Sequence, residues 1–318
     1  MRSTDPSVSP AALSLFLNAL ETSFPITRRS LSKDLGLGLS TITRALSTCV
    51  SYGILTCEAG TDPESGRPCR AYVPTKGLLL PLLTLSRGSG AVRVLDTSLS
   101  PARTSVTELH PSAPPEEAAR ILSHRLLTML RGCTSDENVV SPVLLADSEL
   151  PVGVLQNAVT HTLGKAPLAV ISPEDGIARA MRHSHFPREV TSMLFLSVGE
   201  SSHACLLLRS ETDTWSPSPL GRGLSHSLTR SLRGAEPSSE GVVRVTAVFL
   251  TELCRFLTPD LIYVEDPRGL LPDKDFFLPL LPDGMEILVD HAPRDLIRAE
   301  YGAALAGRRM VWNKILLG

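Results

Sequence analysis

The side chains best suited by type and spacing to do chemistry lie in the first quarter of the chain, and they are basic or hydroxyl-bearing. Arg44 sits in the run "STITRALS", with Ser40, Thr41, Thr43 and Ser47 around it. Arg67 is raised on a Ser-Gly-Arg-Pro turn, and Arg28 and Arg29 form an adjacent pair upstream. A guanidinium can grip guanine O6 and N7 in bidentate fashion, Ser and Thr can bond DNA bases or backbone, and a Thr methyl can pack on the methyl of thymine. Together these residues read as a surface for double-stranded DNA. The competing reading is the solvated basic face of a small helical module that binds other proteins.

Such side chains need rigid supports, and the surrounding pattern supplies them. Residues 9–24 predict a first helix, with Ser9 as N-cap, Pro10 at the first position, and Leu13, Phe16, Leu17 and Leu20 at helical spacing. Residues 26–36 predict a second, with Thr27 capping, Leu31 and Leu35 four apart, and Gly36 stopping it. A third runs from Ser40, as its cap, to Gly53, with Ile42, Ala45, Leu46, Cys49 and Val50 in one apolar stripe. Two short helices across a glycine turn, the second amphipathic, are the pattern of a helix-turn-helix. The second helix of that motif enters the major groove by its N-terminal end, where a helix start also favours phosphate. Thr41, Thr43, Arg44 and Ser47 are then its outward residues, and Arg28 and Arg29 fall where the preceding helix crosses the DNA backbone. Residues 54–60 and 70–74 alternate like strands around turn-forming residues, which predicts a β-hairpin. Arg67 at its tip can reach a minor groove or a phosphate.

Charge agrees in sign. The first 80 residues hold eight Lys or Arg against six Asp or Glu, the remainder 23 against 27. That is a mildly basic head on an acidic body. With 318 residues, 42% of them hydrophobic, the chain has material for two or three domains. Its longest apolar run, "GLLLPLL", is broken by Pro81 and is far short of the roughly 20 residues of a membrane span. The start lacks the apolar core of a signal peptide. A cytoplasmic protein with no membrane partner is expected. The six cysteines form no C-x-x-C pair and read as small buried apolar residues, although Cys57 and Cys69 flank the hairpin turn and could face each other. His183 and His185, two apart, read as part of a surface loop. No cofactor or metal is expected.

Residues 26–74 resemble the head of ROK-family transcriptional regulators, the group of the NagC and xylose repressors. Gly38-Leu39-Ser40, Gly53-Ile54-Leu55 and Gly66-Arg67-Pro68 stand where that family has its "GLS", its "G(I/L)L" and its wing "GRP". The resemblance implies a winged helix-turn-helix over residues 1–75 and, over 76–318, a two-lobed actin-like ATPase domain of the sugar-kinase kind. It also implies a repressor that meets a palindromic operator as a homodimer or higher homo-oligomer and answers to a sugar effector. The body has the right outline for an α/β fold, α+β overall once the head is included. Strands are predicted within 77–96, 104–111, 138–146, 192–199, 203–210, 260–266 and 285–290, and helices over 114–132, 240–259 and 294–312. Pro259 to Val264 and Tyr301 to Ala306 resemble the family's late strand and closing helix.

The chemistry of the kinases is missing from that outline. Their first hairpin needs Asp-x-Gly-x-Thr to hold phosphates and metal, and "LTLSRGSG" has no Asp. Their second phosphate loop is rich in Gly and Thr, and here it carries Glu200, whose charge would repel ATP. The zinc-binding Cys cluster is absent, and only His226 stands in the matching region. By resemblance Glu174 or Asp175 stands near the catalytic base, although an ordinary helix start whose acids complement the dipole accounts for both. Glu174, Asp175 and His226 are the candidate ligand-binding residues. The expectation is a non-enzymatic, DNA-binding regulator with a degenerate kinase-like body. The alternatives are a winged-helix module that contacts protein and not DNA, and an active sugar kinase.

Overall fold

The computed structural model describes residues 16–17, 20, 24–61, 66–75, 78–86, 88–110, 112–131, 139–182, 184, 186–198, 202–221, 223–234 and 238–317. Most of the predicted first helix, the hairpin tip at 62–65, His183, His185 and Glu200 lie outside them. The head opens with β1 (Ile26–Thr27), α1 (Arg28–Leu35) and α2 (Leu39–Ser51), then the hairpin β2 (Leu55–Thr61) and β3 (Pro68–Pro74). Thr27 caps α1 as expected. Its Oγ1 accepts from Ser30 N at 3.1 Å while Ser30 Oγ accepts from Thr27 N at 3.0 Å. Gly36 ends α1 in the left-handed region at φ 63°.

Three details differ from the sequence reading. Gly38, not Ser40, is the N-cap of α2, so Leu39 and Ser40 already belong to its first turn. Ile42, Ala45, Leu46 and Cys49 are buried, but Val50 is exposed, because it lies beyond the edge of the apolar stripe. Cys57 pairs across the hairpin with Tyr72 and Cys69 with Gly60, so the two cysteines are not opposite each other.

The body repeats one unit twice. The first copy is β4 (Leu80–Ser86), β5 (Ser89–Leu95), β6 (Pro101–Glu108), α3 (Pro115–Leu130), β7 (Val143–Ala146), α4 (Val152–Leu163), β8 (Ala169–Ile171) and α5 (Pro173–Met181). The second is β9 (Ser192–Ser197), β10 (His203–Arg209), β11 (Trp215–Pro217), α6 (Leu224–Arg233), α7 (Ser239–Cys254), β12 (Leu261–Glu265), the short α8 (Lys274–Phe277), β13 (Glu286–Asp290) and α9 (Arg298–Leu317). The sheet orders are β6-β5-β4-β7-β8 and β11-β10-β9-β12-β13. In each, three antiparallel strands continue into two parallel ones.

Both faces of each sheet are covered, which is why β4 and β9 are nearly unbroken apolar runs and not alternating ones. Leu83, Val92 and Leu144 pack outward with Leu122 and Leu155 of α3 and α4. Leu194, Ile262 and Val264 do the same with Leu228 of α6 and Phe249 of α7. The inner faces share one core, with Leu82, Phe195 and Tyr263 joined by Ile177 of α5 and Ala303 of α9. The helices α5 and α9 cross between the lobes backbone to backbone, so that a Cβ placed on Gly302 would lie 1.7 Å from Gly176 O.

The closing helix starts four residues later than predicted and ends five later, at Leu317, and it does not stop in the body. Trp312 and Leu316 are buried in the core of the head with Phe16, Ile26, Ile42 and Leu46. Arg308, itself buried, donates to Leu20 O in the head and to Thr97 O in the body, both at 3.1 Å. Its guanidinium also lies over the rings of Phe24 and Trp312. Among the described residues no helix is long and apolar enough to cross a membrane.

Candidate functional site

The first candidate surface belongs to the head. Burial of Ile42, Ala45, Leu46 and Cys49 turns Ser40, Arg44 and Ser47 to solvent, with Thr41 and Thr43 partly exposed at the flanks. Gly38 offers no side chain to cap α2; Thr41 N bonds back to Gly38 O at 3.0 Å, so the N–H groups of Leu39 and Ser40 are the ones placed for an acceptor such as phosphate. Thr43 Oγ1 is already engaged, donating to Leu39 O at 2.7 Å. Arg28 and Arg29 are exposed in the first turn of α1, and Arg67 is exposed one residue before β3. Gly66 precedes it at φ 65°, a conformation that costs glycine least. The sequence reading passed over Leu39, which is 57% exposed at the start of α2. Its signal was there to find, since an apolar residue off the core stripe of a helix must face outward.

The second candidate is a cleft of about 670 Å³ between the lobes, lined by Glu149, Glu174, Asp175, Cys205, Ser218 and their neighbours. Ser172 caps α5 through its Oγ, which accepts from Asp175 N at 3.1 Å and donates to Asp175 Oδ2 at 2.8 Å. So Asp175 does serve the helix start. Glu174 does something more. Its Oε1 accepts from Ser225 Oγ at 3.4 Å, and its Oε2 is shielded from solvent with no hydrogen-bond partner among the described residues. His226 lies next to Ser225 in the first turn of α6. Burial, reinforced by Glu174 and Asp175, holds the Cys205 thiol well above its ordinary pKa, so it stays protonated and is no nucleophile. Among the described residues no group of His, Cys, Asp and Glu is arranged to hold a metal.

A buried polar row crosses the second sheet, where Ser197 pairs with His203 on one side and Glu265 on the other. His203 is fully enclosed, and among the described residues neither ring nitrogen has a hydrogen-bond partner. Burial pushes its pKa down to about 4. The ring is therefore neutral when folded and protonates in the unfolded chain near pH 6.5. Because the unfolded state binds the proton first, stability is full above pH 6.5 and falls as the pH drops toward 4. Between pH 7 and 4.5 this one group costs about 2 to 3 kcal/mol. Urea melts of the wild type and His203→Leu at the two pH values check it. The variant loses less stability on acidification by that amount, and equal losses would show that the ring is not buried neutral.

Compared by sequence, the chain matches no family model and no curated protein. Compared by structure, it is similar to a ROK family transcriptional regulator described as a homolog of the E. coli MLC protein. Identity is 12%, the TM-score is 0.59, and the likeness covers 96% of this chain and 98% of that one. It is also similar to an inorganic polyphosphate/ATP-glucomannokinase from Arthrobacter sp. strain KM, at 12% identity, TM-score 0.48, and 72% and 98% of the two chains. A ROK hexokinase from Thermus thermophilus follows at 13% identity, TM-score 0.42, and 76% and 100%. The first likeness runs nearly end to end through both chains and fixes the fold as α/β, with a small N-terminal head and a two-lobed body.

Proposed function

We propose, from the fold shared with a ROK-family transcriptional regulator, that this chain binds double-stranded DNA and regulates transcription as a repressor. In this reading residues 1–75 are a winged helix-turn-helix and residues 76–318 a kinase-like body that no longer catalyses. The observation that carries it is α2. It buries four apolar side chains and turns Ser40, Arg44 and Ser47 outward from a start that has no side-chain cap. Arg28 and Arg29 suit the phosphates flanking the groove, and Arg67 suits a phosphate or minor groove reached by the hairpin. Loss of catalysis is supported by β4, which offers Thr84 and Ser86 but no carboxylate to hold a nucleotide's metal.

Selection of bound duplexes from a random pool tests the reading. An enriched, salt-sensitive site is expected, and a pool that stays random overturns it. In Arg44→Ala the enriched duplex is bound about 1–3 kcal/mol more weakly, and one base position becomes indifferent. In Arg67→Ala binding weakens about equally on all sequences, and the slope of log affinity against log salt falls by roughly one.

The inter-lobe cleft supports a sugar effector, since Glu174, Asp175 and Ser218 line it with oxygens suited to hydroxyl groups. Assembly as a homodimer or higher homo-oligomer suits a palindromic operator. A shift in melting temperature with one sugar, lost in Glu174→Gln, supports the effector. Sugar-dependent ATP turnover would instead return the body to the kinases.

A further inference from the structure

We infer that Leu39 and Thr43 form an apolar reader of thymine methyl groups on the flank of α2, so that the bound site carries thymine beside the guanine suited to Arg44. This rests on the DNA-binding reading above. Leu39 and Thr43 are four residues apart and therefore neighbours on one side of the helix. Leu39 is 57% exposed at the first position of α2, where no packing requires a large apolar side chain. Thr43 spends its hydroxyl inside the helix, on Leu39 O at 2.7 Å, which leaves its methyl as the free group. With its one proton so engaged, the hydroxyl cannot donate to a phosphate or to an acceptor on a base edge. In the major groove the C5 methyl marks thymine and is read by apolar contact. Ser40, Arg44 and Ser47 occupy the middle of the exposed face, so the helix presents a polar centre with one apolar flank. Covering one methyl is worth about 0.8 kcal/mol, or about fourfold in affinity.

The probe is the duplex enriched by the wild-type full chain, remade with each thymine replaced singly by deoxyuridine, which lacks only the methyl. The wild type is expected to lose about fourfold at one or two positions in each half-site. Leu39→Ala and Thr43→Ser bind the thymine and uracil forms equally at those positions. Thr43→Val, which keeps a methyl and loses the hydroxyl, still discriminates. Leu39→Ala melts as the wild type does, because the side chain is exposed. A wild type that binds the selected duplex but is indifferent to every uracil overturns the reader and leaves the DNA reading standing. Discrimination that survives both Leu39→Ala and Thr43→Ser overturns it equally. A pool with no enriched duplex overturns both.

Discussion

Replacing Trp312 with alanine unfolds the head while the lobes stay folded, although Trp312 lies near the opposite end of the chain. Its side chain is 1% exposed and is the largest of the fully buried set. It packs with Phe16, Leu20, Ile42 and Leu46 across the far side of α2. Truncating a buried Trp costs about 3–5 kcal/mol, from lost transfer energy and the cavity left behind. The head is small, and a core of that size has little stability to spare. Arg308 is affected as well, since the ring beneath its guanidinium, 4.7 Å away, disappears while its charge remains buried. Hydrogen exchange gives the readout without assuming any function. The amides of Ile42 to Cys49 lose protection in Trp312→Ala, and those of β9 and β12 keep it. Trp312→Phe is milder, because the indole N–H has no hydrogen-bond partner among the described residues and only part of the volume is lost. If DNA binding is the function, Trp312→Ala loses it with every residue of α2 intact. Unchanged protection in α2 would mean that α9 does not dock on the head in solution.

That contact also marks where sequence reading runs out. The head was legible because its signals are local. Thr27 caps, Gly36 stops, and the four buried residues of α2 repeat at helical spacing, each within a few residues of what it controls. The body was legible as α/β for a similar reason, since apolar runs such as "LPLLTLS" and "SMLFLS" state their own burial. Helix α6 does carry a periodic signal, since Leu224, Leu228 and Leu232 stand four apart and pack on the outer core of the second lobe, but its other positions are polar and glycines bound it, so the stretch reads as a loop. The strands β8 and β11, three residues each, are too short to carry a period. No local signal says that Trp312 belongs to the head, that Ser225 reaches Glu174, or that β10 encloses a histidine. Those facts arise from chain segments brought together over tens or hundreds of residues. Leu39 is the instructive case, because its exposure follows from the same stripe that identified Ile42 and Leu46. Reading Ser40 as the cap sets Leu39 outside the helix and hides that exposure.

Adding one methyl group at Gly302 separates the two lobes' crossing helices, and it is the smallest change expected to have a large effect. The new Cβ would lie 1.7 Å from Gly176 O and 2.6 Å from Gly176 C, with backbone on both sides. Ordinary side-chain overpacking costs about 1–3 kcal/mol because rotamers can yield. Here no rotamer is involved, and α5 and α9 must move apart by more than an ångström, so a cost of about 3 kcal/mol or more is expected for Gly302→Ala. The movement propagates along α9. Glu300, two residues earlier, accepts from Thr84 Oγ1 at 3.0 Å and pairs with Arg93 at 2.8 Å, binding the helix to the first sheet. Glu265 accepts from Arg298 N, binding its start to the second. Both links depend on the present spacing, and both are buried, so loosening them leaves charges poorly paired. The matched control is Gly153→Ala in the first turn of α4, where a Cβ meets nothing within 4 Å. There the better helix propensity of alanine stabilises by about 0.5–1 kcal/mol. Two glycine-to-alanine changes in helices of one protein thus move the urea midpoint in opposite directions. A Gly302→Ala variant as stable as the wild type would mean that the lobes do not meet at this crossing.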